Sequence, residues 1–494
     1  MPVSINEKEI ERLVEEVVRR VKNNGAADPS ANVPTQAKGN SVGSAVMQTG
    51  AGVANPTDGV FSSMDEAIAA AQKSYVAFSE VSLYRRKIFV AAMREAAVAE
   101  AERLAKQAVA ESSFGRAEHK IQKNLLAANK TPGPEDLEPL CYTGDDGLTL
   151  VEPAPFGVVG AITPCTNPVA TIVNNGISMV SAGNATVFNP HPVAKGVSNE
   201  MVAILNRAIR KAGGPDTLLC SIAEPSLDSS KAIMKHPGIK MLLVTGGGAV
   251  VELAMTCGKR TVAAGPGNPP VIVDDTADIR KAARHIVDGA SFDNNILCTA
   301  EKEVFAYENI ADRLVDEMIQ YGARLVEGER LDKLTAELVE PGEPYPRPNR
   351  KYVGKNASVL LELAGISAGA EARLAICRVP FEHPLVQAEM LMPILPIVAV
   401  ADLNEALTKA KEAEHGNKHS AMMHSESVSN MSRVARVIET TIFVKNAPSY
   451  AGLGFGGEGF TTLSIAGPTG EGLTSARTFT RQRRCVLAGA FRIV

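Results

Sequence analysis

The sequence predicts an α/β protein that consists of two domains with doubly wound parallel sheets, preceded by a separate amphipathic helix. Three observations support this prediction. Apolar, strand-like runs alternate with helical stretches from about residue 150 onward. The 494 residues are too many for one ordinary hydrophobic core. The 41 glycines and 29 prolines are typical of an α/β enzyme with many tight turns.

The N-terminal segment has the pattern of an amphipathic helix over residues 1–22, followed by a flexible linker over residues 23–52. Its apolar stripe has helical spacing and consists of Ile10, Leu13, Val14, Val17, Val18 and Val21. The linker is rich in Gly, Ala, Ser, Asn, Pro and Gln. Because a short tethered helix cannot bury its stripe alone, we expect it to dock on another protein. Packing against its own body, or fraying in solution, is the alternative.

The first α/β domain begins with helices. Residues 63–128 have a helical pattern rich in Ala, Glu, Lys and Arg, and the strand-like run 148–152 follows. Helical stretches at 197–212 and 227–235 then alternate with buried-strand patterns at 157–162, 185–188 and 241–244. This alternation predicts a doubly wound parallel sheet.

A second set of strand-like runs predicts a second α/β domain. These runs lie at 271–273, 302–307, 394–400 and 441–444. We therefore place the first α/β domain at residues 53–133 and 153–262, and the second at 263–474.

Composition and charge argue against several classes of protein. The net charge of −4 gives no basic field for nucleic acid. No apolar run approaches the ~20 residues that span a bilayer, and no secretory signal is evident. The seven cysteines are scattered without a CxxC pair, so neither a disulfide framework nor a metal site is indicated. We expect a cytoplasmic protein that binds neither nucleic acid nor membrane.

The candidate nucleophile is Cys298, which follows the run Asp293-Asn294-Asn295-Ile296-Leu297. Small and amide side chains leave a thiol open to substrate and can stabilise its thiolate. Cys165 also lies in a loop after a strand, so by sequence alone it is a rival. We expect the six cysteines other than Cys298 to be small buried hydrophobic residues.

A second segment, residues 263–270 with the sequence Ala-Ala-Gly-Pro-Gly-Asn-Pro-Pro, contains no acid. Together with the Cys298 segment it resembles the catalytic core of the aldehyde dehydrogenase superfamily, in its CoA-acylating branch. Hydrolytic members carry a water-activating Glu here, where this chain has Ala and Gly. The resemblance starts at about Phe61 and implies an aldehyde dehydrogenase-like fold: a dinucleotide-binding domain, a catalytic domain and a β flap of oligomerisation strands at 134–152 and 475–494.

The turns after the strands of the first domain carry candidate cofactor contacts. Gly246 and Gly247 follow a strand and precede a helix, so their backbone N–H groups can approach a pyrophosphate. An ordinary strand-to-helix turn is the alternative, but the resemblance implies that the dinucleotide binds here. We also assign Thr163 to the cofactor site. Asn189 and His191 are candidates for contacting the adenosine of the cofactor or CoA, and a rigid solvent-facing turn explains them equally well.

Three further residues are candidates for chemistry or cofactor binding. Asn167 offers a donor to a developing oxyanion, although the superfamily's Pro-x-Asn-x-Pro loop places that amide one position earlier, where this chain has Thr166. It could instead satisfy the loop's own backbone. Glu389 matches a family Glu that holds the nicotinamide ribose, and a buried salt bridge is the alternative. His419 matches a His that can exchange a proton with the CoA thiol, and a structural His is the alternative.

The resemblance implies a reaction. The Cys298 thiolate attacks an aldehyde, the thiohemiacetal passes hydride to NAD (NADP is not excluded), and the thioacyl group leaves on CoA because no base activates water. Two other functions stay open. One is a hydrolytic aldehyde dehydrogenase that gives a free carboxylic acid, and the other is a non-catalytic scaffold.

The N-terminal helix resembles the encapsulation peptides of bacterial microcompartments. It therefore implies a shell or cargo partner for residues 5–22 and a location in the microcompartment lumen. Microcompartments confine volatile aldehydes, so the expected substrate is acetaldehyde or propionaldehyde. The resemblance also implies a homodimer or homotetramer, associating through strands such as 148–152 and 486–494.

Overall fold

A computed structural model describes residues 54–369 and 371–494 of the chain. The helix predicted at 1–22 and the linker predicted at 23–52 lie outside these residues.

The described residues contain fifteen α-helices. They are α1 (Met64–Ser79), α2 (Leu83–Ala99), α3 (Ala101–Ser112), α4 (Ala117–Lys130), α5 (Pro168–Ala182), α6 (Lys195–Lys211), α7 (Leu227–Lys235), α8 (Gly248–Met255), α9 (Ile279–Ser291), α10 (Glu308–Gln320), α11 (Glu329–Leu338), α12 (Ala357–Leu363), α13 (Pro384–Gln387), α14 (Leu403–Ala413) and α15 (Val428–Ile438). Side-chain caps explain several starts: Ser82, Asp278 and Asp402 accept backbone N–H bonds at the first turns of α2, α9 and α14.

The described residues also contain twenty strands. They are β1 (Val60–Phe61), β2 (Leu140–Gly144), β3 (Gly147–Pro155), β4 (Val158–Ile162), β5 (Ala185–Asn189), β6 (Leu219–Ile222), β7 (Met241–Thr245), β8 (Arg260–Ala264), β9 (Pro270–Val273), β10 (Glu303–Tyr307), β11 (Ala323–Leu325), β12 (Val339–Glu340), β13 (Arg347–Pro348), β14 (Leu374–Arg378), β15 (Ile394–Val400), β16 (Ser420–His424), β17 (Ile442–Lys445), β18 (Ile465–Ala466), β19 (Gly472–Leu473) and β20 (Thr480–Ala488).

The first large sheet has six parallel strands in the order β1-β6-β5-β4-β7-β8. The chain runs outward from β4 through β5 to β6, then returns to place β7 on the other side of β4. This reversal between β4 and β7 is the topological switch point of a doubly wound sheet, where ligands bind at the carboxyl ends of the strands. The helix α5 packs in the hydrophobic core beside this first sheet, and all of its residues are buried.

The second large sheet has seven parallel strands in the order β11-β14-β15-β10-β9-β16-β17. It has its own hydrophobic core, separate from that of the first sheet. Two parallel sheets with two cores confirm the predicted α/β fold class. The first sheet continues through Ala264, two residues past the boundary predicted after residue 262.

The third sheet is antiparallel and consists of β2, β3 and β20. Its strands lie within or next to the flap segments predicted at 134–152 and 475–494, but the bounds of the last strand differ. The C-terminal strand was expected over 486–494, whereas it spans Thr480–Ala488. It ends because Gly489 turns the backbone into the left-handed region at φ 68°.

The flap also corrects the expectation that the cysteines other than Cys298 are buried. Cys141 on β2 and Cys485 on β20 are exposed, because both strands extend away from the two cores. Cys220 and Cys377 are buried, and Cys165 and Cys257 are partly buried.

Candidate active site

The candidate site lies where the carboxyl ends of the first sheet meet the amino ends of the second. Residues 265–269 connect the carboxyl end of β8 in the first sheet to the amino end of β9 in the second. After the carboxyl ends of β4, β5 and β7 come Thr163, Asn167, His191, Gly246 and Gly247, with Asn189 as the last residue of β5. Before the amino ends of β10, β15 and β16 come Cys298, Glu389 and His419.

The loop that carries Cys298 has unusual backbone geometry. Asp293, Asn294 and Asn295 are consecutive left-handed residues, with φ of 49°, 55° and 63°. Asp and Asn are the non-glycine residues that tolerate this region best, which explains their run before the thiol. Side-chain bonds hold the strained turn. Asn294 Nδ2 donates to Gly354 O at 2.9 Å, and Asn295 Nδ2 donates to the carbonyls of Ala290 and Glu301 at 2.8 and 2.9 Å.

The buried ammonium of Lys302, four residues after the thiol in the chain, also holds the loop. Its Nζ donates to Asn295 O at 3.0 Å, to Asn295 Oδ1 at 2.7 Å and to Leu297 O at 3.1 Å. Three acceptors use all three of its N–H donors. The carboxylate of Glu301 is anchored in turn by Ser449, whose N and Oγ both donate to it at 2.8 Å.

The Cys298 thiol is half-buried in this loop. Burial and the charge of Glu389 raise its pKa to about 11, against the opposing charges of Lys302 and Lys123. The rival Cys165 is also half-buried, and burial raises its pKa as well. With this raised pKa the Cys298 thiol is protonated at neutral pH, so its proton must leave when a bond to carbon forms.

The acid-free segment packs directly on the thiol loop. A β-carbon built on Gly267 would lie 3.1 Å from Cys298 O and 2.8 Å from His419 Cγ. Burial raises the pKa of Glu389 to about 7, while Lys302 and the Gly267 N–H act in the opposite direction. Glu389 makes no ion pair within 4.0 Å in the described part of the chain, so the buried salt bridge considered as its alternative role is not formed there.

His419 is buried beside the same segment. Its Nδ1 lies 2.8 Å from Ser420 Oγ, and its backbone N donates to Glu414 Oε1 at 2.8 Å. Burial, followed by the Lys302 charge, lowers the pKa of His419 to about 4. The ring is therefore neutral near pH 7, which is the form able to accept a proton.

Two lysines buried near the site were not predicted from the sequence. Lys120 and Lys123 are each only 3% exposed, and both donate to the fully buried carboxylate of Asp293. Lys123 also donates to Asn167 Oδ1, and Lys120 donates to Thr166 O at 3.1 Å. Both lie on the same helix as the buried Asn124 and Ala127, but nothing in the local sequence distinguishes them from lysines on an exposed face.

The dinucleotide prediction falls at the switch point of the first sheet. Thr163 follows β4 and Gly246 follows the neighbouring β7. The Thr163 hydroxyl is buried and makes no hydrogen bond to any described residue. Nothing lies within 4 Å of a β-carbon built on Gly246 or Gly247, so the turn faces open space at the start of α8. An open backbone turn beside an unpartnered hydroxyl suits a pyrophosphate.

Asn189 and His191 both have partners inside the protein. The Asn189 amide donates to Ser230 Oγ at 2.8 Å and accepts from Ser229 Oγ at 2.6 Å. The exposed His191 accepts from Val193 N at 3.2 Å through Nδ1. These contacts order the turn, and the assignment of both residues to a cofactor stays a prediction.

The glycine-rich segment 451–460 lies against the thiol loop through aromatic rings. Phe292 stacks on His119 with ring centroids 4.5 Å apart, and lies 5.1 Å from Tyr450 and 6.1 Å from Phe455. Lys130 Nζ also donates a hydrogen bond to Gly454 O, at 2.5 Å. Through His119 and Lys130, these contacts connect the segment to α4.

Neither a cluster of metal ligands nor a membrane-spanning helix is present among the described residues. Across 54–369 and 371–494, no three or more His, Cys, Asp or Glu side chains are grouped to hold a metal ion. Within the same ranges, every helix is too short or too polar to cross a bilayer.

The fold and the site define a class of protein. The sequence profile described as "Aldehyde dehydrogenase family" matches residues 35–468, and the chain belongs to this family. Acetaldehyde dehydrogenase (acetylating) EutE of Salmonella typhimurium is 47% identical to it over 447 residues, covering 88% of this chain and 94% of that protein.

Two solved structures are similarly close. A propionaldehyde dehydrogenase from the fucose utilisation bacterial microcompartment of Clostridium phytofermentans has a TM-score of 0.86 and 48% identity, covering 88% of this chain and 100% of that one. A Rhodopseudomonas palustris propionaldehyde dehydrogenase, solved with bound CoA and an acylated cysteine, has a TM-score of 0.86 and 46% identity with the same coverage.

Proposed function

We propose that this protein is a CoA-acylating aldehyde dehydrogenase that converts a short-chain aldehyde, CoA and NAD to acyl-CoA and NADH. One observation carries the proposal: the segment packed against Cys298 has glycine at its closest point and no acid anywhere along it. A hydrolytic enzyme needs a base beside the thioester to activate water. The similarity to acetylating and propionaldehyde dehydrogenases supports the same reaction.

The first half of the reaction builds an acyl group on Cys298. Its Sγ forms a bond to the aldehyde carbon, and the carbonyl electrons move onto oxygen. Asn167 Nδ2 donates to that oxygen as it gains charge. The thiol proton is released to solvent as this bond forms, and the positive charges of Lys302 and Lys123 favour its loss. The carbon then gives up its hydrogen as hydride, and the restored carbonyl is a thioester.

The glycine turn at Gly246 and Gly247, together with Thr163, would hold the dinucleotide, and Glu389 would bind its nicotinamide ribose. When bound, NAD or NADP supplies the acceptor for the hydride. In the second half, the CoA sulfur attacks the thioester carbon and the bond to Cys298 Sγ breaks. His419, which is neutral at physiological pH, takes the proton of the attacking CoA thiol.

The central experiment measures NADH formation from acetaldehyde and propionaldehyde with and without CoA. We expect steady turnover only with CoA, and acyl-CoA as the product. Steady CoA-independent oxidation to a carboxylate would establish the hydrolytic alternative instead. No activity with any short aldehyde would leave the scaffold alternative.

A pair of variants tests the nucleophile. Cys298→Ala is expected to abolish CoA-dependent NADH formation, whereas Cys165→Ala keeps most of it. The reverse result would move the nucleophile to Cys165.

The cellular setting is part of the proposal. The resemblance of residues 5–22 to encapsulation peptides, and the microcompartment origin of a similar structure, support a place in a microcompartment lumen. Deleting residues 1–22 is expected to preserve activity and to release the enzyme from isolated particles. Loss of activity or solubility would instead indicate that the segment packs on the enzyme itself.

A further inference from the structure

We propose that Lys123 is a positioning residue that orients the Asn167 amide so that its nitrogen, and not its oxygen, faces the aldehyde oxygen during attack by Cys298. This inference rests on the proposed function, because it assigns Asn167 the role of donor in the acylation step. That step is common to the CoA-dependent and hydrolytic reactions, so the inference can be tested whichever of the two the enzyme performs.

The hydrogen bonds of Lys123 fix which way the amide is turned. A protonated lysine has three donors and no acceptor, so only the oxygen of a neighbouring amide can face it. Lys123 Nζ donates to Asn167 Oδ1 from the buried face of α4. The Asn167 nitrogen must then point away from Lys123. Among the described residues it makes a single, long hydrogen bond of 3.3 Å, to Thr166 Oγ1, which leaves its second N–H for a ligand.

Asp293 explains how an ammonium can be held at this depth. Burying an unpaired ammonium is costly, and Lys123 also donates to Asp293 Oδ2. Asp293 Oδ1 accepts from the backbone N of Arg116 at 2.7 Å, and Lys120 approaches Oδ2 at 3.2 Å. Asp293 begins the strained run that leads to Cys298. Lys123 therefore joins the loop that carries the nucleophile to the side chain that would stabilise the oxyanion.

A double-mutant cycle tests whether Lys123 acts through Asn167. The measurement is the single-turnover rate of NADH formation from propionaldehyde and NAD, without CoA. Removing one oxyanion donor costs about 10²–10³-fold in rate, so Asn167→Ala is expected to fall in this range and Lys123→Met near its lower end. The double variant is expected to be no slower than Asn167→Ala, because a misdirected donor and an absent donor are equivalent. Two effects that multiply would overturn the proposal.

Lys120→Met is the matched control. It removes a second buried ammonium from the same helix face and the same carboxylate, but Lys120 contacts the backbone of Thr166 and not the Asn167 amide. We expect a similar loss of thermal stability and a rate loss of less than about 10-fold, well below that of Lys123→Met. Equal rate losses for the two lysine variants would show a general structural effect and reject the proposal. We expect Lys123→Met to lower the rate constant of NADH formation and to leave the aldehyde KM little changed.

The charge of Lys123 also lowers the pKa of Cys298, so an effect on the thiol must be separated from an effect on the amide. Iodoacetamide alkylation of Cys298 reports the thiolate without using Asn167. We expect Lys123→Met to slow alkylation much less than NADH formation, and equal losses would overturn the proposal. If Lys123→Met does not fold, Lys123→Met with Asp293→Asn removes both members of the ion pair, keeps the net charge of the cluster, and should show the same rate loss.

Discussion

The α-carbon of Gly267 lies directly against the loop that carries Cys298. A β-carbon at Gly267 would approach Cys298 O to 3.1 Å and His419 Cγ to 2.8 Å. The N–H of the same glycine lowers the pKa of Glu389, against the larger effect of burial. Gly267 therefore lies against both Cys298 and His419, and a side chain at this position would have to displace one of them.

Gly267→Ala should impair catalysis more than folding. The added methyl group must push on a buried imidazole and a backbone carbonyl, and an overpacked site costs about 1–3 kcal/mol. Small misplacements at a reacting centre cost up to about 10²-fold in rate. We expect kcat/KM for the CoA-dependent reaction to fall at least about 10-fold. Gly265→Ala is the control, since its β-carbon would meet only the Pro468 ring, at 3.2 Å. Equal activity of the two variants would contradict this packing argument.

Glu389→Gln should make the Cys298 thiol more reactive in the unliganded enzyme. The Glu389 carboxyl has a pKa of about 7, so above that pH its negative charge opposes the thiolate and raises the Cys298 pKa. Removing the charge lowers the thiol pKa, so iodoacetamide alkylation at pH 8 should be severalfold faster than in the wild type. Mass spectrometry of Cys165 in the same samples provides an internal control. A slower or unchanged rate at Cys298 would refute the electrostatic assignment.

Much of the fold could be predicted because parallel strands covered on both faces appear as continuous apolar runs. The strands β4, β7 and β15 have this pattern and lie where the sequence predicted them. The strand β6 was missed because its buried face carries a polar residue. Ser221 is satisfied there by Asn199 of α6, at 2.5 Å, and a sequence pattern does not show such a partner.

Part of the candidate site could also be proposed from the sequence. The resemblance to a known family pointed to Cys298 and Glu389, and the glycine turn was proposed from its place after a strand, because turns at strand ends have recognisable residues. Lys123 has the sequence pattern of a surface residue. It is buried only because Asp293, 170 positions later in the chain, folds against it. Burial that depends on a distant charge partner is a tertiary effect, which local periodicity cannot predict.

Val486→Glu should weaken self-association. The antiparallel flap exposes Tyr142, Val486 and Leu487 at 58%, 59% and 47% of their surface. A three-stranded sheet with apolar side chains in solvent favours burial against a second copy. Sedimentation velocity should show a smaller species for Val486→Glu than for the wild type. Val428→Glu, on an exposed helix start of the body, is the control. An unchanged sedimentation coefficient for Val486→Glu would argue against association through the flap.

His424→Leu should reduce the loss of stability in acid. His424 is buried on β16, and its Nε2 has no hydrogen-bond partner among the described residues. Burial, followed by the charge of the neighbouring His285, lowers its pKa to about 3. Between pH 6.5 and 3 the unfolded chain binds a proton that the folded chain does not, so this histidine lowers folding stability as the pH falls. The contribution is about 2 kcal/mol by pH 5. Between pH 7.5 and 5, the Tm of His424→Leu should fall less steeply than the Tm of the wild type. Above pH 7 the two curves of Tm against pH should run parallel. Identical slopes below pH 6.5 would mean that His424 is already protonated in the folded protein.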